Sequence, residues 1–244
     1  MVMDKVITVK NLKKSFGKNH VLKGIDLELS KGDNLAILGR SGIGKSVLTK
    51  CIIRLIEADS GMVSVLGKDM YQLDDDNLDE MRRRMGYLFQ GGALYDSMSV
   101  RKNLEFPVRR TQVSRKKGEL KDKVEEVLQN VGLIDAIDEM PADLSGGMKK
   151  RVALARTLIL EPEVILYDEP TTGLDPVTSG EISDLIVRLN EQYHTSSIII
   201  THDMKCARIT ADKIFLLHNG RLLYGDTFEN LSKNKDELIK QYFV

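Results

Sequence analysis

The chain has 244 residues, with 36 lysines and arginines against 36 aspartates and glutamates and no formal net charge. That balance excludes the basic excess by which nucleic-acid-binding domains show themselves, and no apolar run approaches the roughly 18 residues of a membrane span. Cys51 and Cys206 stand far apart and form no CxxC pair, which fits reduced thiols rather than a disulfide or metal framework.

The opening residues Met1-Val2-Met3-Asp4-Lys5 carry charge and lack the apolar core of a signal peptide. A soluble, cytosolic chain is expected, with any membrane spans supplied by other subunits. Ile7-Thr8-Val9 and Ile25-Asp26-Leu27-Glu28-Leu29 alternate apolar and polar residues as half-buried strands do. Asn34 to Leu38 is a short buried strand leading into Gly39-Arg40-Ser41-Gly42-Ile43-Gly44-Lys45-Ser46, which fits G-x-x-x-x-G-K-[ST]. Phosphate chemistry dictates this spacing. The glycines let the backbone turn so that successive N–H groups face one anion, Lys45 reaches the β- and γ-phosphates, and the Ser46 hydroxyl ligates Mg²⁺. A helix expected from Ser46 to Leu55 puts that anion at a helix N-terminus, with Cys51 inside it as a small core residue.

Val63-Ser64-Val65 reads as another strand, and Asp74-Asp75-Asp76 as the cap of a helix on which Arg82-Arg83-Arg84 form a solvated face. The strand Tyr87-Leu88-Phe89 ends at Gln90. From about Gly91 to Leu160 the strand signal disappears. Leu120, Val124, Val127, Leu128 and Val131 recur at helical spacing, as do Val152, Ala155, Leu158 and Ile159. This segment reads as a helical lobe inserted into an α/β core, with Arg109 to Lys117 a polar connection between helices. Leu144-Ser145-Gly146-Gly147-Met148 opens the last helix of the lobe, either as a second anion site or as an ordinary N-cap.

Val164 to Glu169 is an apolar strand ending in two carboxylates. Beside the phosphate loop, Asp168 would hold Mg²⁺ through water and Glu169 would polarise an attacking water. A helix follows from about Pro176 to Gln192, with Ile182, Leu185, Ile186 and Leu189 on one face. Leu35 to Leu38, Val164 to Leu166, Ile198 to Ile200 and Ile214 to Leu217 are apolar throughout, so a parallel sheet covered on both faces is expected. Asn219-Gly220 marks a hairpin turn, and Thr227 to Val244 forms one or two short helices. Two phosphate-binding helix starts with one set of catalytic carboxylates suggest a composite site. Gly39–Ser46 of one copy and Ser145–Gly147 of another would grip the same nucleotide.

The phosphate loop, Leu144-Ser145-Gly146-Gly147 and Asp168-Glu169 together resemble the ATP-binding subunits of ABC transporters. The resemblance covers nearly the whole chain. It implies a P-loop NTPase, RecA-like α/β core with a mixed, largely parallel sheet and an antiparallel β subdomain (residues 1–90 and 161–226), a helical subdomain (91–160) and a helical tail (227–244). It makes Gln90 the Q-loop glutamine that senses Mg²⁺ and water, Gly173-Leu174-Asp175 the D-loop at the dimer interface, His202 the switch histidine on the γ-phosphate, and Phe16 the ring stacking on adenine. The cofactors implied are ATP and Mg²⁺. The partners implied are a second copy of the chain and membrane permease subunits, which would hold it at the cytoplasmic face of the inner membrane; no nucleic acid is implied. Met148 stands where the signature motif usually has Gln. With Gln90-Gly91-Gly92-Ala93-Leu94-Tyr95-Asp96-Ser97 it is similar to the ATPases of Mla/MCE-type lipid transporters, which would add an MCE-type lipid-binding protein as partner. Permeases for amino acids, metals or lipoproteins are the alternative. A non-transport ABC ATPase would need heptad-patterned arms or a second cassette, and this sequence shows neither.

Overall fold

The computed structural model describes residues 4–111 and 118–242. In chain order the elements are β1 (Lys5–Phe16), β2 (Asn19–Ser30), β3 (Asn34–Leu38), α1 (Lys45–Ile52), β4 (Ser60–Val65), β5 (Lys68–Asp69), α2 (Asp75–Arg83) and β6 (Met85–Leu88). Next come α3 (Val100–Arg110), α4 (Glu119–Asn130), α5 (Gly146–Leu158), β7 (Val164–Asp168), α6 (Pro176–Tyr193), β8 (Ser196–Thr201) and α7 (Met204–Thr210). The hairpin β9 (Lys213–His218) and β10 (Arg221–Asp226) precedes two short helices, α8 (Phe228–Ser232) and α9 (Glu237–Lys240).

The strands form two sheets. An antiparallel one runs β2-β1-β4-β5, and a six-stranded one runs β10-β9-β3-β8-β7-β6. In the second, β9, β3, β8, β7 and β6 are parallel and only β10 is antiparallel. The apolar strands occupy its centre because both of their faces are covered. Side chains alternate across a strand, so in β7 Val164 and Leu166 enter the core shared with the antiparallel sheet and α1, while Ile165 and Tyr167 enter the core built by α3, α4, α5 and α6. In β8, Ile198 and Ile200 face the first core and Ile199 the second. A third cluster lies under α7, where Leu231 of α8 and Ile239 of α9 pack on Ala36, Leu38 and Leu216. The tail thus closes over its own chain.

Parallel strands leave a crevice outside their carboxyl ends, where ligands of such sheets bind. β3 ends at the phosphate loop, β6 before Gln90, β7 at Asp168-Glu169 and β8 before His202. One sheet edge therefore gathers residues spread over more than half the chain.

Several local expectations hold. Asp74 caps α2, accepting from the Asn77 N–H at 2.9 Å, and Asn219 and Gly220 turn the β9–β10 hairpin with φ of 49° and 77°. Others need correction. Helix α1 stops at Ile52, three residues before Leu55, because Arg54 turns left-handed at φ 54°. Arg82 is not on a solvated face. Its guanidinium caps the carbonyls left free at the end of α1, donating to Ile53 O at 3.3 Å and Arg54 O at 2.7 Å. Strand β6 ends at Leu88, so Phe89 lies beyond it. Arg109 and Arg110 belong to α3 and Thr111 caps its end; the remainder of the expected polar connection, 112–117, lies outside the described residues, as do 1–3 and 243–244. Among the described residues no helix is long and apolar enough to cross a membrane.

Candidate active site

The phosphate loop leaves β3 at the buried Leu38 and enters α1 at Gly44. Gly44 adopts φ 114°, and a Cβ there would lie 2.5 Å from Val21 Cγ1, so only glycine fits. The first turn of α1 carries no acidic side chain, which leaves its N–H groups and dipole open to an anion. Lys45 opens the helix and curls its ammonium back under the loop. It donates to Gly39 O at 2.7 Å and Arg40 O at 3.2 Å, and pairs with Glu169 Oε1 at 3.0 Å. Ile43 turns its side chain to the first core and donates its N–H to Arg40 O at 3.4 Å.

At the end of β7, Asp168 is buried. It accepts from Ser46 Oγ at 2.9 Å and from the Tyr87 hydroxyl at 3.1 Å. The same Tyr87 hydroxyl lies 3.1 Å from Thr49 Oγ1, and burial raises the phenol well above its usual pKa, so it stays protonated. Glu169 is a left-handed non-glycine residue with φ 50°. Such a residue costs about 1–3 kcal/mol and persists where its surroundings over-determine it. Here its N–H donates to Ile200 O at 2.9 Å. Its carboxylate receives Lys45, the Thr172 hydroxyl at 3.1 Å, the His202 N–H at 3.3 Å and His202 Nδ1 at 2.7 Å. Asp203 sets the histidine by capping α7, accepting from Lys205 N and Cys206 N.

Phe16, Ser41, Gly42, Gly44, Lys45, Ser46, Gln90, Glu169 and His202 line one cleft of about 500 Å³. Phe16 contributes to its wall while remaining 49% exposed. A larger hollow of about 720 Å³, lined by Lys5, Glu28, Lys213 and Phe215 among others, also gathers lysines and carboxylates but none of the phosphate-loop residues. Ser46 and Gln90 line the cleft, and Asp168 bonds to Ser46 without lining it; their oxygens form a hard donor set that fits Mg²⁺. That ion takes one or two protein oxygens and completes its shell with phosphate and water. Among the described residues no group of three or more acidic, histidine or cysteine side chains forms an all-protein metal cage.

Ser145, Gly146, Gly147 and Asp175 do not line this cleft. They form a separate block. Ser145 caps α5 by accepting from Met148 N at 3.3 Å, and the half-buried Met148 packs on the helical core. Asp175 caps α6, accepting from the N–H groups of Val177 and Thr178, both at 3.0 Å, and from Thr178 Oγ1 at 2.6 Å. The Thr178 hydroxyl holds that carboxyl below its usual pKa. The two caps touch, since a Cβ on Gly147 would meet Thr178 Cγ2 at 2.8 Å.

Four contributors were not foreseen from sequence: Tyr87, Thr172, Val21 at the cleft wall, and Lys150, which is buried beneath Gln90 and Glu169. Thr172, three residues after Glu169, was within reach of local reasoning. The other three depend on how distant segments pack.

A family model described as ABC transporter matches residues 22–172. Among curated relatives, the probable ribonucleotide transport ATP-binding protein mkl of Mycobacterium leprae is 38% identical over 99% of this chain and 70% of its own length. The methionine import ATP-binding protein MetN 1 of Bacillus licheniformis is 38% identical over 92% and 67%. The intermembrane phospholipid transport system ATP-binding protein MlaF of Haemophilus influenzae is 37% identical over 97% and 89%. Among solved structures, cbiO1 of Clostridium perfringens, part of the ABC transporter complex cbiONQ, superposes with a TM-score of 0.87 at 29% identity, covering 98% of this chain and 94% of that one. A dimer of the ATP-binding cassette MJ0796 bound to ADP and Pi superposes at 0.82 and 31%, covering 91% and 98%. The relatives' names point to several cargoes and do not single out the Mla type. The fold is that of the ABC ATPases, and the chain belongs to the ABC transporter family as an ATP-hydrolysing subunit.

Proposed function

We propose that two copies of this chain close around two ATP molecules and drive a separate membrane permease. The carrying observation is the Glu169 carboxylate, held between Lys45 at 3.0 Å and His202 Nδ1 at 2.7 Å in the cleft that the phosphate loop opens. In this reading residues 39–46 cradle the phosphates with their N–H groups, Lys45 stabilises γ-phosphate charge, and Phe16 stacks on adenine. Ser46, Asp168 and Gln90 hold Mg²⁺, which when bound neutralises charge on the β- and γ-phosphates. Glu169 takes a proton from the attacking water and His202 fixes the geometry. Ser145, Gly146 and Gly147 of the partner grip the same γ-phosphate, with Asp175 lining the dimer interface. ATP closes the pair and hydrolysis releases it. The division of labour is a core of residues 1–90 and 161–226, a helical lobe of 91–160 facing the permease, and a tail of 227–244. Turnover by the purified chain, lost in Glu169→Gln, tests the assignment.

For the cargo, we propose phospholipid or another lipid moving between membranes, with an MCE-type lipid-binding protein as a further partner. The support is Met148 in the signature motif, the Gln90–Ser97 segment and the similarity to MlaF over nearly the whole chain. The rival reading is a permease for an amino acid, a metal or a lipoprotein; the equally similar MetN 1, a methionine import protein, favours the first of these. In either reading the chain sits at the cytoplasmic face through its permease, and purification of the native complex from membranes decides between the two cargoes. Bound phospholipid with an MCE-type subunit supports the first, and an amino-acid or metal permease overturns it.

A further inference from the structure

Lys150 lies in the second turn of α5, five residues after Ser145, and is only 7% exposed. Its neighbours serve the surface. Lys149 is exposed, and Arg151 reaches Val131 O at 3.2 Å and Glu181 Oε2 at 3.0 Å. Lys150 points the other way. Its ammonium donates to Gln90 O at 2.5 Å and to Glu169 O at 3.4 Å. Burial pulls the ammonium below its usual pKa, and the nearby Asp168 and Glu169 charges oppose that pull. Among the described residues it forms no ion pair within 4.0 Å, and a cation buried this way is costly unless its donors are used.

The two acceptors are the backbone of the residues that need the most control. Gln90 follows β6 at the rim of the cleft. Glu169 follows β7 in a left-handed conformation that its surroundings must enforce. Its N–H is tied to β8 through Ile200 O, and its carbonyl accepts from Thr172 N at 3.3 Å in the turn that follows and from Lys150, which links it to α5. The same helix carries Ser145–Gly147 at its start.

We propose that Lys150 is a positioning residue, a cationic strut that locks the backbones of Gln90 and Glu169 to the helix bearing Ser145–Gly147. A phosphate gripped at the start of α5 would then set the water-activating carboxylate of the same chain. The inference rests on the roles assigned above to Gln90 and Glu169.

The test compares Lys150→Met, Lys150→Gln and Lys150→Arg in the full chain, with Glu169→Gln alongside. ADP affinity by calorimetry reports the phosphate loop and the integrity of the fold, and ATP turnover reports the strut. Lys150→Met is expected to bind ADP within about twofold of wild type while kcat falls on the order of 100-fold, as a misplaced catalytic group does. Lys150→Arg, which keeps the charge and the donors, is expected to restore most of the rate. If Lys150→Met binds no ADP, the same two readings on Lys150→Gln decide. A neutral variant that binds ADP and turns over at the wild-type rate overturns the proposal, as does Lys150→Arg being as slow as the neutral variants. Wild-type turnover by Glu169→Gln would instead overturn the assignment on which the strut depends.

Discussion

Lys45 and Glu169 form a buried ion pair, Nζ to Oε1 3.0 Å, with side chains 5% and 8% exposed. The cation proposed for the γ-phosphate is thus matched by the carboxylate proposed for the water. Each satisfies the other's charge in a place where an unpaired charge would be costly.

Glu169→Gln removes the proposed base and half of that pair. Turnover should fall about 10²–10⁴-fold, the range of a general base. Affinity for a non-hydrolysable ATP analogue should rise, because Lys45 no longer has a carboxylate competing with phosphate. Steady-state rates and calorimetry check both. An unchanged affinity would mean that the pair does not restrain the lysine.

Lys45→Ala leaves the Glu169 carboxylate buried with only the Thr172 and His202 donors. Breaking a buried pair from one side costs about 3 kcal/mol or more. Denaturant unfolding of the nucleotide-free variant should show that loss alongside weak ADP binding. Wild-type stability would show that the pair carries no net weight.

Much of this site was readable in advance, and the exceptions share a cause. Residues 39–46, Asp168-Glu169 and the apolar strands announce themselves because spacing and periodicity are local. Tyr87 does not, because its hydroxyl meets Asp168 only through the parallel register that pairs Tyr87 with Leu166 and Leu88 with Tyr167. Arg82 reads as one charge in a run of three until α2 lies beside the end of α1. Lys150 breaks no helical pattern, and nothing in α5 alone says that its position faces two backbone carbonyls.

Tyr87→Phe keeps the ring and removes the hydroxyl bridging Thr49 and Asp168. Asp168 Oδ2 loses its donor, and the carboxylate loses the contact that aims Oδ1 at Ser46. The Mg²⁺ concentration for half-maximal turnover should rise about tenfold, the usual effect of removing a partner behind a metal ligand. A Mg²⁺ titration of ATPase rate checks it, and an unshifted curve would remove Tyr87 from the site.

Gly147→Ala brings a methyl against Thr178 Cγ2 at 2.8 Å, where the α5 cap meets the α6 cap. Thr178 must shift, and Asp175 with it, because Thr178 Oγ1 donates to that carboxylate at 2.6 Å. ATP-dependent dimerisation should weaken while ADP binding by the single chain is retained. Sedimentation with and without ATP reads the first and calorimetry the second. Dimerisation equal to wild type would separate the two caps from the interface.

The central claim is that the cleft holding Lys45 is completed by Ser145 of another copy. The most direct measurement mixes two chains in the Glu169→Gln background, one carrying Lys45→Ala and the other Ser145→Arg. Each alone should stay monomeric in ATP. Mixed, they share one intact composite site and should form dimers retaining one ATP per pair. A mixture as monomeric as its components, or a Ser145→Arg chain that traps ATP in dimers unaided, would contradict the account.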